Sequence, residues 1–242
     1  ITGDDFSFGA FQYFNIGGVN IMRMKSLAGE PSMFAFCVVP FFILSIYLNY
    51  RWYSIGFLIA LFLSTSSTAI LGLILYLSLE ILFGKNRIRK IILAFLIICL
   101  IGLFSYEFIS ALYETSMNKI SLLNLSGIDR FDNFINHIVL WKESNFGQQL
   151  FGYGFGYFRS TDGLSTLLVN IGFIGLAIYC LFFLLPYFLI QKKTSYHKGL
   201  YISNFVILIL ILVSVPEFYT PHIWFFNALL WGEYLRLNYN NV

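Results

Sequence analysis

The residues whose chemistry stands out in this chain are two arginines, Arg23 and Arg130, each in a polar stretch of a very apolar sequence. Membrane proteins keep their surplus basic residues on the cytoplasmic side, so arginines in segments that face outward need another reason. A guanidinium binds phosphate oxygens through paired hydrogen bonds and stays charged. The pattern therefore predicts an anionic ligand at the outer face, held first by Arg130, then by Arg23, with Arg159 as a third candidate.

Composition places these arginines in an integral membrane protein. The chain has 242 residues, of which 58% are hydrophobic and only 11% charged. Several apolar runs reach the length that crosses a hydrocarbon core of about 30 Å. The abundant phenylalanines and tyrosines suit lipid-facing surfaces and interfacial belts. Because the chain starts at Ile1 with no leader-like segment, we interpret it as a fragment, the C-terminal part of a longer membrane protein.

Several other classes of protein do not fit the sequence. Cys37, Cys99 and Cys180 all lie in apolar runs, where a thiol behaves as a small hydrophobe. A formal charge of +3 is too small and too dispersed for nucleic acid. The sequence contains no glycine-rich phosphate loop, no CxxC pair and no HExxH motif. We therefore predict no metal, no cofactor and no nucleic-acid partner.

Two basic loops determine the predicted topology. Residues 85–90 and 191–198 are short, dense in lysine and arginine, and flanked by apolar runs, so both are expected in the cytoplasm. Alternation from these loops predicts an all-α polytopic bundle that forms a single membrane domain. Its parts are an outer segment, four membrane helices, a large outer loop, three membrane helices and a cytoplasmic tail: 1–30, 31–112, 113–164, 165–235 and 236–242.

The first membrane helices could be divided in two ways. Pro31 to Leu48 and Thr68 to Phe83 both run inward in this topology, so Tyr50 to about Ser64 must climb outward between them. That stretch is short for a full span. One long helix over Tyr53 to Phe83 would instead remove a crossing and reverse the direction of the neighbouring ones, which conflicts with the basic loop that begins at Lys85. The sequence therefore favours two helices.

This division puts the polar run from Ser64 to Thr68 at an outer turn. Non-helical polar backbone below the membrane surface is tolerated only against protein or a water-filled cavity, so Ser66 and Ser67 are candidates to line an outward-open cavity. The alternative is that these hydroxyls bond back to helix carbonyls, as serine and threonine often do. The sequence leaves both open.

The two outer segments carry the remaining features. The first ends in Glu30, which would lie at the positive end of a helix beginning with proline. In the second, apolar residues recur at helical spacing between Arg130 and Glu143, which predicts a helix lying along the membrane surface. Asp129 and Asp132 flank Arg130, and ion pairing among the three is the simpler alternative. The glycine at every second position of Gly152 to Gly156 lets backbone approach a neighbour or ligand closely.

Five pieces of the chain together resemble the O-antigen polymerase and ligase superfamily. They are Arg23 with Glu30-Pro31-Ser32, Leu63 to Thr68, Gly127 to Arg130, Leu150 to Gly156, and Asn170 to Leu176. Their order along nearly the whole chain carries the resemblance. It implies a metal-independent membrane glycosyltransferase of the GT-C type at the outer face of the bacterial cytoplasmic membrane. The implied partners are an undecaprenyl-diphosphate-linked oligosaccharide, the lipid bilayer, a chain-length regulator and a flippase.

Within that family, polymerases join repeat units of O-antigen, capsule or exopolysaccharide, whereas ligases transfer finished glycan to a lipid A core. Ligases usually carry a histidine eleven residues before the glycine matched to Gly172, and this chain has Thr161 there. The resemblance therefore favours a polymerase, with a ligase as the alternative. A non-enzymatic flippase or transporter of lipid-linked sugars is the third hypothesis, ranked last because charge inside the predicted spans is sparse.

The resemblance also suggests roles for the outer residues. Arg130 and Arg23 would stabilise the leaving diphosphate, and Asp162 or Glu30 would take the proton of the acceptor hydroxyl. The candidates for substrate contacts are Arg159, Ser66, Ser67, Tyr153, Glu217 and His222. Glu217 is a further candidate for the carboxylate, and His222 could replace the missing histidine, although a lone interfacial histidine is more often structural.

Overall fold

The computed structural model describes residues 13–16, 19–26, 28–83, 125–190 and 194–239. These residues form eight helices and one short antiparallel hairpin, in which Tyr13 lies opposite Met22. The helical class is as predicted, and the hairpin was not anticipated. The elements are β1 Tyr13–Ile16, β2 Val19–Met22, α1 Pro31–Tyr47, α2 Arg51–Ser64, α3 Ser67–Phe83, α4 Leu125–Glu143, α5 Phe146–Phe151, α6 Gly163–Leu189, α7 Ser195–Val213 and α8 Pro221–Tyr239.

The division of the first apolar region into three helices is confirmed. Pro31 occupies the first turn of α1, where its missing N–H removes no helical hydrogen bond. The chain then turns at Asn49, which has a φ of 60°. Between α2 and α3, Thr65 adopts a left-handed conformation with φ 44° and ψ 38°, which ends α2. The polar run predicted to break one long helix does break it.

Two helices of the described part are long and apolar enough to cross a membrane: α6, with 27 residues, and α7, with 19. The helices α1, α2 and α3 are apolar but shorter, with 17, 14 and 17 residues. The fourth predicted span, Ile91 to about Leu112, and the basic loop at 85–90 lie outside the described residues. The structure therefore supports association with a membrane, while the seven-span topology stays a prediction.

The core lies where α1 packs against α7 and α8. Its largest fully buried side chains come from all three helices: Phe36, Ile43, Ile207, Leu210 and Phe226. A polar bond crosses the same interface, because the hydroxyl of Ser203 donates to the carbonyl of Pro40 at 2.9 Å. Within a bilayer, where lipid is as apolar as these side chains, close packing and interhelical hydrogen bonds hold such helices together.

Contacts between helix ends sort them into two groups, which we call the upper end and the lower end. At the upper end, the hydroxyls of Thr68 and Ser214 lie 2.8 Å apart, and Gly163 lies directly against the carbonyl of Ile211. At the lower end, the Ser195 hydroxyl donates to the carbonyl of Tyr47 at 3.0 Å. The helices α1, α3, α6 and α8 therefore begin at the upper end, where α2 and α7 finish, in agreement with the predicted alternation.

Candidate functional site

Most of the predicted site residues gather at the upper end, in two groups. Arg23 and Glu30 lie with the turn between α2 and α3, whereas Arg159 and Asp162 lie with Glu217 near the turn between α7 and α8. The bond between Thr68 and Ser214 connects the groups. Arg130, the first candidate for the anion, lies in α4, and its side chain is outside the described residues.

Arg23 caps the C-terminal end of helix α2. Its Nε donates to Thr65 Oγ1 at 2.9 Å and to the carbonyl of Ser64 at 3.2 Å, and its Nη2 donates to the carbonyl of Thr65 at 2.9 Å. The last carbonyls of a helix lack partners within the helix and attract cations, so this arginine satisfies them. Burial lowers the pKa of the guanidinium, and the carboxylate of Glu30 partly offsets that effect. Arg23 therefore has a structural task at the site, whatever else it binds.

The hydroxyls of the polar turn are bonded to protein. Ser64 and Ser66 are buried, and the Ser64 hydroxyl donates to the carbonyl of Leu61 at 2.6 Å. The Oγ of Ser66 accepts from the N–H of Thr68 at 3.2 Å, which caps the start of α3. Ser67, by contrast, is exposed. Of the two possibilities left open by the sequence, bonding back to a helix carbonyl is observed at Ser64, whereas Ser66 accepts from a backbone N–H.

Glu30 lies where the sequence predicted, directly before the first turn of α1. Its carboxylate does not cap a backbone N–H of that helix and instead accepts from the hydroxyl of Ser32, in the first turn, at 3.0 Å. The residue is exposed, so its charge is accessible from the upper end.

Asp162 caps α6. One carboxylate oxygen accepts from the N–H of Ser165 at 2.7 Å, and the other accepts from the hydroxyls of Ser160 and Ser165 at 3.0 and 2.7 Å. Its carbonyl also accepts from the hydroxyl of Thr166. A buried carboxylate with both oxygens engaged at a helix start has the geometry of an N-cap. These bonds leave it poorly suited to take a proton from a substrate.

Arg159 and Glu217 form an ion pair in which the arginine is exposed and the glutamate is buried. Nη2 of Arg159 donates to Oε1 of Glu217; the arginine side chain is 72% exposed and the glutamate side chain 8%. The second oxygen, Oε2 of Glu217, is buried and accepts no hydrogen bond from the part of the chain that the structure describes. A buried acceptor without a partner costs about 1–3 kcal/mol. The pair thus offers an accessible cation beside a buried carboxylate, whose hydrogen bond with the side chain of Tyr219 raises the pKa of that tyrosine.

His222 is buried at the start of α8. Its ring packs edge-on against Phe36 of α1, with the ring centroids 4.6 Å apart. Nε2 has no hydrogen-bond partner among the described residues. The residue therefore lies deeper than the accessible surface at Arg159, and the structure gives its ring a packing role.

Tyr153 belongs to a segment that we call the glycine loop, residues 152–158. Its N–H donates to the carbonyl of Val169, and the N–H of Gly154 donates to the carbonyl of Asn170, both at 2.9 Å. These two carbonyls are freed by a break in α6 at Gly172, where φ is 67° and ψ is −175°. The loop thus supplies the donors that a broken helix lacks, as buried backbone requires.

Glycine is required on both sides of this contact. Gly152 has a φ of 77°, and a Cβ on either Gly152 or Gly172 would collide with the backbone of the other segment. Asn170 strengthens the contact, because its side chain accepts from the N–H of Phe158 at 2.8 Å and donates to the carbonyl of the same residue at 2.6 Å. Sequence reasoning singled out both glycine motifs but did not predict that they meet. The sequence feature that the two motifs share is glycine between apolar residues.

The class that these observations define is a predominantly helical protein with two helices able to cross a membrane and a polar site at one end. Within the described residues, no group of three or more histidine, cysteine, aspartate or glutamate side chains is arranged to hold a metal ion. No protein family, curated protein or solved structure matches this chain.

Proposed function

We propose that this chain belongs to a membrane glycosyltransferase that polymerises polyprenyl-diphosphate-linked oligosaccharide units. The observation that carries the proposal is the convergence at the upper end of charged residues from distant parts of the sequence: Arg23, Glu30, Arg159, Asp162 and Glu217. The helices beneath them include two that can span a membrane. A partly exposed polar site with an accessible guanidinium at Arg159, at the end of such a bundle, suits a substrate that has a lipid tail, a diphosphate and a sugar.

Arg159 is the described arginine best placed to bind the diphosphate. Departure of that group from the anomeric carbon builds negative charge on its oxygens, which a preorganised cation stabilises. The guanidinium has five N–H donors, and the bond to Glu217 holds it while most of the side chain remains exposed. Arg130 stays a candidate for the same role. Arg23, with its donors directed at the end of α2, is better suited to shaping the site.

For the acceptor, we move the general base from Asp162 to Glu217. As the acceptor oxygen bonds to the anomeric carbon, the carbon–diphosphate bond breaks and the hydroxyl proton passes to a carboxylate. Both oxygens of Asp162 already accept hydrogen bonds, whereas Oε2 of Glu217 has none from the described residues. Transfer by one direct displacement would invert the anomeric configuration.

The experiment is a polymerisation assay in membranes that contain the protein, supplied with an undecaprenyl-diphosphate-linked repeat unit and resolved on a gel. Wild type should give a ladder of long products. Arg159→Ala should collapse the ladder toward single units, and Arg159→Lys should restore only part of it, because lysine cannot form the paired bonds. Arg51→Ala is the matched control, since Arg51 is an exposed arginine at the lower end.

Failure of the wild-type protein to extend any lipid-linked unit would contradict the proposed function itself. A normal ladder from Arg159→Ala would instead retain the function and remove Arg159 from it. Glycan that accumulates only on a lipid A core would favour the ligase alternative.

One observation favours a transporter of lipid-linked sugars as the second candidate. α6 is broken at Gly172, and transporters place broken helices at their substrate sites. The carbonyls freed here, however, are bonded by the glycine loop, so they are not directed at a substrate. Movement of a fluorescent lipid-linked sugar across sealed vesicles, without any change in its length, would support the transporter.

A further inference from the structure

The two parts of α6, before and after Gly172, do not lie on one axis. Beyond the break, α6 runs antiparallel to α7, and the side chain of Asn204 donates to the carbonyl of Phe183 at 3.0 Å. If α6 were straight, this pairing would carry Gly163 about 20 Å past Ile211. Gly163 instead lies against the carbonyl of Ile211. The first part of α6 therefore folds back over the end of α7.

Burial changes at the same residue. From Gly163 to Asn170, every residue except Leu164 is buried within the protein. Beyond Gly172, the helix presents large apolar side chains to its surroundings: Phe173, Ile178, Leu181 and Phe188, each 58–73% exposed. A continuous apolar face of this kind marks an interface with protein or lipid. Only the second part of α6 carries one.

The length of that second part favours lipid over protein as the partner of its exposed apolar face. The 17 residues after Gly172 span about 26 Å at 1.5 Å per residue, and the 19 residues of α7 beside them span about 28 Å. A hydrocarbon core is about 30 Å thick, and segments of this length cross it with small adjustments at the interfaces.

Exposed aromatic residues mark both ends of this length. The upper set is Phe155, Tyr157 and Tyr219, and the lower set is Tyr50, Trp52, Tyr53, Tyr187 and Tyr239. Trp224, whose indole N–H donates to the carbonyl of Phe218 at 2.9 Å, reaches lower, because its ring centroid lies 6.4 Å from that of Phe182 in the middle of this length. Tyrosine and tryptophan collect at the two membrane–water interfaces because their rings are apolar and their polar atoms stay hydrated.

The glycine loop lies at the level of the upper set. Phe155, 74% exposed, has its ring centroid 6.4 Å from that of Phe218, which in turn lies 6.0 Å from Tyr179. Tyr179 is two turns, about 10 Å, into the second part of α6, so the Phe155 ring reaches toward the upper part of that segment. The backbone of the loop lies higher, because it bonds to the carbonyls of Val169 and Asn170 directly before Gly172.

We propose that the upper boundary of the bilayer lies at Gly172. Lipid acyl chains cover α6 from Phe173 onward, the aromatic residues of the glycine loop lie in the headgroup layer, and Gly163 to Asn170 form a platform above the hydrocarbon. The predicted crossing from Ser165 to Ile190 is shortened accordingly. This placement does not depend on the proposed function, but it would hold Arg159 and Glu217 at the level of lipid phosphates.

Site-directed spin labelling tests the placement. The native cysteines Cys37, Cys99 and Cys180 are replaced by alanine, and single labels are attached at three exposed positions through Leu164→Cys, Phe155→Cys and Ile178→Cys. The protein is reconstituted in vesicles of phosphatidylethanolamine and phosphatidylglycerol. Collisions of each label with oxygen, which concentrates in hydrocarbon, and with a water-soluble nickel chelate then report its depth. Ile178 is the matched control, because a straight and a broken α6 both place it in the membrane.

We expect the Ile178 label to respond to oxygen, the Leu164 label to the nickel chelate, and the Phe155 label to lie between them. A Leu164 label as oxygen-accessible as the one at Ile178 would overturn the boundary, because α6 would then cross from its first residue. A Phe155 label as accessible to nickel as the one at Leu164 would remove the loop from the headgroup layer. Nickel access at all three positions, or dipolar broadening at Ile178, would show that water or a second copy covers α6.

The folding of each labelled variant is checked by its thermal unfolding midpoint against the cysteine-free parent. All three substituted positions are exposed, so each label is expected to leave that midpoint nearly unchanged.

Discussion

The two ends of the helix bundle hold similar residue types but use them differently. At the lower end, Nε2 of His197 lies 3.1 Å from the carboxylate of Glu233, which also accepts from Arg236 at 2.6 Å. At the upper end, Glu217 pairs with Arg159 through one oxygen only, and His222 has an unbonded Nε2 as far as the described residues show. Among the described residues, the polar atoms of His197 and Glu233 that meet at the lower end are paired, whereas the upper end contains Glu217 Oε2 and His222 Nε2 without partners.

This difference separates a structural network from a candidate site. Buried polar groups are nearly always hydrogen-bonded, so an exception needs an explanation, such as a catalytic role or a bound molecule. A complete network rigidifies its surroundings instead. The same reasoning distinguishes two buried acidic residues at the upper end, because Asp162 is fully engaged as a helix cap and Glu217 is not. Substitutions at four positions test this comparison, in decreasing order of expected effect.

Glu217→Gln should have the largest effect. The amide keeps the shape and the bond to Arg159 but cannot take a proton, so turnover should fall by about 10²- to 10⁴-fold. The unfolding midpoint should change little. The measurement is initial polymerisation rate at saturating lipid-linked substrate, corrected for folded protein. An unchanged rate would show that the unpaired Oε2 of Glu217 takes no part in the reaction.

Glu233→Ala, at the lower end, should affect stability instead. It leaves the buried ring of His197 without its partner, and we expect a loss of about 1–3 kcal/mol in unfolding free energy. Thermal unfolding in detergent measures the loss, and activity per folded molecule should stay at the wild-type level. A selective loss of activity would contradict the division between the two ends.

Asp162 is tested by a pair of variants. Asp162→Ala should cost about 1 kcal/mol, because the cap of α6 is removed, whereas asparagine caps as well as aspartate and should preserve stability. Activity of the stable Asp162→Asn variant is then the decisive measurement. We expect it to remain, and its abolition would return the general base to Asp162.

His222→Leu should have the smallest effect on stability. Replacing a buried polar group that makes no hydrogen bond with an apolar group of similar size is nearly neutral or stabilising. Thermal unfolding should therefore give an unchanged or slightly higher midpoint, and polymerisation should persist. A stable variant without activity would assign His222 a role in the reaction.

The helix boundaries around the site were predictable because their signals are local. Pro31 is favoured in the first turn of a helix, and the run from Ser64 to Thr68 offers hydroxyls that compete with helical hydrogen bonds. Alternation of the chain between two faces then follows from loop charges. The prediction of Glu30 at the start of α1 needed nothing further, since a capping position is set by its neighbours in sequence.

The partners of the site residues were not predictable in this way. Arg23 was expected to bind an anion, yet its donors reach a helix end forty-one and forty-two residues away. Asp162 was expected as a base, yet its side chain is engaged by Ser160, two residues before it, and by Ser165 in the first turn of α6. Residue type gives the capacity to bind, whereas the choice among nearby acceptors and donors depends on which groups folding brings into reach.

The sequence by itself determined that this protein is helical and apolar, where its first helices begin and end, and which polar residues face the same end of the bundle. These follow from composition, from periodicity and from proline and hydroxyl residues acting on their own neighbourhood. Only the tertiary structure decided that α6 breaks at Gly172 and that the glycine loop supplies the missing donors. It also decided that Oε2 of Glu217 is buried without a hydrogen bond from the described residues. Such features depend on backbone groups from distant segments meeting at hydrogen-bond distance, and no local pattern encodes that distance.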